Sequence, residues 1–150
     1  MTARGCLVIG SDTGVGTSLV SASLSSFMGE NGPLGEGAAR GFELPVVLVV
    51  GLRAACLDSA LLAARELRAR GSPVVGWVGN TVDRHVPWPE ENIHTLRLAL
   101  QRRHGVPCLG VVPWLARPEP AAVASFLDKP AICAAVGGQM EPRSSDTVAP

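Results

Sequence analysis

The chain alternates between short, continuously apolar runs and longer segments in which apolar residues recur at helical spacing. The strongest run is Leu44-Pro45-Val46-Val47-Leu48-Val49-Val50-Gly51. Largely β-branched and free of charge, it reads as a strand covered on both faces. Residues 5–10, Val74–Asn80 and Val106–Val112 read as three further buried strands. Between them, Thr17–Met28 carries Leu19, Val20, Leu24, Phe27 and Met28 on or near one face, as an amphipathic helix does. Leu57–Arg70 reads as a second helix, begun or capped by Asp58, with its arginines turned outward. Glu90–Arg103 reads as a third, with acids in its first turn and bases in its last. Residues 119–127 and 130–136 read as short terminal helices. The glycines of Gly29–Gly41 predict a break in regular structure. Gly137–Pro150 is polar and rich in Gly, Pro and Ser, which predicts a disordered tail beyond a single domain over residues 1–136.

Strand and helix in alternation predict an α/β fold: a parallel sheet of about four strands with helices on both faces. Ligands of such sheets bind at the carboxyl ends of the strands. Three polar or irregular segments fall there: Gly10–Ser18, the turn at Asn80, and Pro113-Trp114-Leu115. The first of these, Gly10-Ser11-Asp12-Thr13-Gly14-Val15-Gly16-Thr17-Ser18, runs from a strand through glycines and hydroxyls into a helix. Small residues let backbone N–H groups close around a phosphate, and the helix start adds partial positive charge. The pattern is that of a P-loop NTPase, except that Thr17 stands where that loop has its lysine.

Composition narrows the function classes. The formal net charge is zero, which argues against nucleic acid and anionic membranes as partners. A hydrophobic fraction of 47% suits a buried sheet. Lys129 is the only lysine, so a mechanism that needs a lysine at the loop must recruit it. Cys6, Cys56, Cys108 and Cys133 lie far apart without metal or redox spacing and read as buried, reduced thiols. His85, His94 and His104 lack metal spacing and read as surface residues. The N-terminal apolar run is too short for a signal peptide, and a cytoplasmic location is expected.

Four blocks together resemble the dethiobiotin synthetase family. They are Gly10–Ser18, Leu44–Gly51, Gly76-Trp77-Val78-Gly79-Asn80 and Pro113-Trp114-Leu115-Ala116, the last following a Leu-Gly-x-x strand. The resemblance implies ATP- and Mg2+-dependent carboxylation and ureido-ring closure of 7,8-diaminopelargonic acid with CO2, in a homodimer. It implies phosphate contacts from Asp12, Thr13, Gly14, Val15, Gly16, Thr17 and Ser18. It also implies adenine contacts from Asn80, Val112, Pro113 and Trp114, and Mg2+ ligation by Ser18 and Glu36.

Two departures from the family pattern follow. The loop lysine is replaced by Thr17, and the stretch between the first helix and Leu44 is much shorter than in the family, without the lysine that handles the substrate carbamate. These departures set an alternative beside the enzyme: a non-catalytic or degenerate nucleotide-binding module that keeps the base pocket and has lost phosphoryl chemistry.

Overall fold

The computed structural model describes residues 5–34, 44–85 and 90–140. Its sheet has four parallel strands in the order β1-β2-β3-β4: Leu7–Gly10, Val46–Gly51, Val74–Asn80 and Cys108–Val112. The helices are α1 (Thr17–Met28), α2 (Cys56–Ala69), α3 (Glu90–His104), α4 (Pro120–Ala124) and α5 (Lys129–Met140). The expected α/β architecture is therefore the observed one.

Every residue of β2 is buried, and its side chains alternate between two cores. Val47 and Val49 join Val20 and Leu24 of α1, Val123 of α4 and Ile132 of α5. Val46, Leu48 and Val50 join Ala60 and Ala64 of α2 and Leu96 and Leu100 of α3, with Trp77 fully buried among them. This two-sided covering is why the run shows no polar alternation.

The helices take opposite faces for a topological reason. After α1 and a 3-10 turn at Gly29–Asn31, Pro33 forms a one-residue parallel bridge with Cys6. The Cys6 N–H donates to the Gly32 carbonyl at 3.2 Å, and the Leu34 N–H donates to the Cys6 carbonyl at 2.9 Å. The next residue, Leu7, turns its N–H the other way, to Pro45 at the start of β2. The chain thus leaves β1 toward one edge, then builds β2, β3 and β4 toward the other. Right-handed crossovers in opposite directions place their helices on opposite faces. The crevice of such a doubly wound sheet opens at the carboxyl ends of the strands where the direction reverses, here beside β1.

Two irregularities bracket Gly76. The β2–β3 register slips between Val46 and Val47, and the β3–β4 register slips between Trp77 and Val78. A Cβ on Gly76 would lie 2.4 Å from the Leu109 side chain, so the glycine makes room for the extra residue of β4.

Several local expectations need correction. Asp58 does not cap α2: the helix starts at Cys56, Ala55 occupies the cap with φ +66°, and Asp58 lies inside the first turn. The glycine-rich break holds the 3-10 turn and the Pro33 bridge within its described part. Residues 125–127 leave the helix of α4, and Leu127 bridges Gly110 at the outer edge of β4. Residues 137–140 do not belong to the expected tail, because α5 runs to Met140, and the rest of that stretch, 141–150, lies outside the described residues. Asp128 accepts the Ala131 N–H at 3.1 Å and starts that helix. Gly137 and Gly138 continue it at a cost of about 1 kcal/mol each relative to alanine.

Candidate functional site

The segment between β1 and α1 turns sharply because Gly14 and Gly16 adopt φ of +68° and +86°, a region costly for residues with a Cβ. Asp12 closes the turn locally: its Oδ1 accepts the Thr13 N–H at 2.7 Å. Val15 then pins the loop to the protein, with its side chain 1% exposed. Added Cβ atoms on Gly10 and Gly51 would each come within 2.8 Å of that side chain, so the ends of β1 and β2 are glycine where Val15 enters. Gly16 is the N-cap of α1 and offers no side chain to cap it, and no acid occupies the first turn. The helix therefore starts with uncapped N–H groups, a setting that favours an anion. A Cβ on Gly14 would meet nothing within 4 Å, so the space over the loop is open.

The end of β3 reaches this loop directly. Asn80 is buried, and its Nδ2 donates to the Val15 carbonyl at 3.0 Å. A Cβ on Gly16 would lie 2.4 Å from the same nitrogen. The Asn80 carbonyl accepts the Leu52 N–H at 2.8 Å, and the Val112 carbonyl accepts the Thr81 N–H at 2.9 Å, aligning the exits of β2, β3 and β4.

A cavity of about 230 Å³ opens between these exits, walled by Gly14, Gly16, Asn80, Val112, Pro113 and Trp114. Leu19 of α1 and Val123 of α4 close its apolar side. The three segments singled out in the sequence therefore meet at one concavity. Trp114 is 40% exposed, and the Arg84 guanidinium lies 5.4 Å from its ring centre.

The other expected residues are distributed unevenly. Thr17 turns back over β1, since a Cβ on Gly10 would lie 2.7 Å from its Oγ1. Ser18 is exposed in the first turn of α1. Glu36 lies outside the described residues. Lys129 does not serve the loop: its Nζ lies 5.7 Å from the ring centre of Phe27. Phe27 is near the far end of α1, about 15 Å along the helix from Thr17. Among the described residues, no three His, Cys, Asp or Glu side chains gather as a metal site. All four cysteines are free; Cys6 and Cys56 are buried, but Cys108 is half-buried and Cys133 exposed, because α5 turns position 133 to solvent. His104 is half-buried rather than on the surface, because the end of α3 packs toward α2. Burial lowers its pKa, with further lowering from Arg68, Arg103 and Arg65.

Sequence reasoning missed Arg53. Its Nη2 donates to the Thr13 carbonyl at 2.6 Å and to Asp12 Oδ2 at 3.2 Å. Its position just past the carboxyl end of β2 was the available signal. It also missed the wall formed by Leu19 and Val123, because their approach depends on how α1 packs against α4.

Comparison with known proteins supplies the relationship. Ninety residues, 60% of this chain, are 52% identical to the ATP-dependent dethiobiotin synthetase BioD of Janthinobacterium sp. (strain Marseille). The aligned part covers 36% of that relative, so the chain spans about a third of its length. Residues 38–122 match the AAA domain family, a P-loop family, and the matched stretch contains β2, β3 and β4 with both of their crossover helices. That match covers more than half of the chain, on a parallel sheet of the expected kind, and the chain belongs to the AAA domain family.

Proposed function

We propose that this chain is a nucleotide-binding domain of the dethiobiotin synthetase type. The observation that carries the reading is the single cavity shared by the loop, Asn80 and the Val112-Pro113-Trp114 turn. Its walls are mainly apolar with a few convergent polar groups, as small-molecule sites are. In this reading Pro113, Trp114 and Val112 flank adenine, and Asn80, whose Nδ2 holds the loop, presents Oδ1 to the base edge. Phosphates lie over the N–H groups of Gly14, Val15, Gly16 and Thr17, beside Asp12 and Thr13. The open space above Gly14 and the uncapped start of α1 fit such a group. Ser18, exposed at that helix start, would hold Mg2+ through its hydroxyl, with Glu36 as the acidic partner. ATP and Mg2+ together would supply phosphoryl activation and charge neutralisation.

The whole reaction we assign is carboxylation and ureido-ring closure of 7,8-diaminopelargonic acid with CO2, in a cytoplasmic pair of identical chains. The relative's name, ATP-dependent dethiobiotin synthetase, supports it. A second reading has its own observation. Thr17 brings a hydroxyl packed against β1 instead of a cation, which favours a module that binds the base without phosphoryl transfer. Loss of a transition-state donor of this kind lowers rate by roughly 10²–10³. Calorimetric titration with ATP and adenosine tests the shared part: saturable binding of both is expected, and no binding of either overturns it. Incubation with diaminopelargonate, bicarbonate and Mg-ATP separates the two readings. Dethiobiotin formation supports the enzyme, and binding without product supports the module.

A further inference from the structure

Parallel pairing of β1 with β2 puts Gly10 beside Val49, and the ladder continues with the Ser11 N–H donating to the Val49 carbonyl at 2.8 Å. The residues just past β2 therefore run alongside the residues just past β1. Arg53 is the first charged side chain on that path. Its Nη2 bridges the Thr13 carbonyl and Asp12 Oδ2, while Asp12 Oδ1 accepts the Thr13 N–H. Both polar groups of the Thr13 backbone and both oxygens of Asp12 are thus committed to one small network. Among the described residues, Arg53 is the one basic side chain hydrogen-bonded to this loop.

The network has an electrostatic consequence. Without Arg53, an anion over Gly14–Ser18 would approach the Asp12 carboxylate unopposed. The guanidinium offsets that charge through a single nitrogen, leaving Nε and Nη1 as donors on a planar cation. The side chain is 37% exposed, so it remains reachable by a ligand. A residue that braced the loop alone could do so without charge, and Arg53 brings a cation to the Asp12–Thr13 end of a loop that carries Thr17 where the pattern has a lysine.

We propose that Arg53 is the phosphate-recognition cation of this loop, reaching it from β2 in place of the lysine absent at position 17. The proposal rests on the nucleotide-binding reading above and specifies which group distinguishes ATP from adenosine. It makes Arg53 a specificity residue for the phosphate chain, with the base pocket independent of it.

The test compares ATP and adenosine binding by the full chain and by Arg53→Gln and Arg53→Ala. Gln keeps a polar side chain with an N–H donor and removes the charge. Both variants should bind ATP about 10-fold more weakly, the lower end of a charged hydrogen bond given the exposure of the site. Both should bind adenosine as the unaltered chain does, and the ATP deficit should shrink in high salt. Unchanged ATP affinity in Arg53→Gln overturns the proposal. Equal weakening of ATP and adenosine also overturns it, since that marks a bracing role only. If the unaltered chain binds neither ligand, the nucleotide reading itself has failed; if it binds both and only the variants' discrimination is wrong, this proposal alone has failed.

Discussion

The side-chain amide of Asn80 donates to the main-chain carbonyl of Val15 across 3.0 Å, joining the last residue of β3 to the loop after β1. The two residues are 65 positions apart, and both are buried. A carbonyl at the end of a tight turn would otherwise be left without a partner inside the protein. Asn80 thus fixes the shape of the loop before any ligand arrives. It does so in the lining of the cavity, which gives one side chain a structural task and a place in the site.

Removing this clasp should destabilise the fold. Asn80→Ala is expected to cost about 1–3 kcal/mol, because the Val15 carbonyl loses its partner in a buried setting. Gly16→Ala should cost about 1–2 kcal/mol from its left-handed backbone alone, and more because the new methyl would lie 2.4 Å from Asn80 Nδ2. The double variant should lose less than the sum, since the shortened side chain at position 80 removes the clash. Urea denaturation of the three variants measures this. Strict additivity would show that the two residues do not meet.

Ala55 is the one non-glycine residue with positive φ among the described residues, at +66°. Holding a Cβ there costs roughly 1–2 kcal/mol, partly offset in a glycine variant by the greater freedom of its unfolded chain. Ala55→Gly should therefore stabilise the protein by up to about 1 kcal/mol. A lower thermal midpoint for this variant would contradict the strain.

His104 makes stability depend on pH in a defined direction. Its folded pKa is lowered, first by burial and then by Arg68, Arg103 and Arg65, and its Nδ1 is buried without a partner. The unfolded chain therefore takes up the proton more readily. Stability should fall as pH drops from above the unfolded value of about 6.5 through the lowered folded value, and level off below it. His104→Gln should lose this part of the slope. Denaturation midpoints measured at neutral and mildly acidic pH check it; parallel profiles for the two proteins would refute it.

The cysteines should differ in reactivity. Cys133 is exposed, whereas Cys6 is fully buried and its thiol is pushed up to about 11 by that burial. An aromatic disulfide reagent at mildly alkaline pH should label Cys133 first and Cys6 only as the protein unfolds, because the thiolate is the attacking species. Prompt labelling of four thiols in the folded protein would contradict the packing around β1.

The sequence by itself determined most of the elements. Val74–Asn80 and Thr17–Met28 end where their apolar periodicity ends, and the uninterrupted apolar run of β2 already required covering on both faces. It also determined that the loop, Asn80 and the Pro113 turn lie at the same edge, because strand direction in a parallel sheet puts every strand-to-helix turn on one side. Tertiary structure decided the rest. Which helix took which face depended on the reversal at β1, which rests on a one-residue bridge between Cys6 and Pro33 that no periodicity signals. The partner of Asn80 was a carbonyl distant in sequence, and backbone carbonyls carry no residue-type signal. The charge beside the loop came from Arg53 of the neighbouring strand exit, because register brings the two loops together, whereas the lone lysine was held at α5 over Phe27. Local pattern specifies which segments form; registry, crossover direction and side-chain reach specify which residues meet.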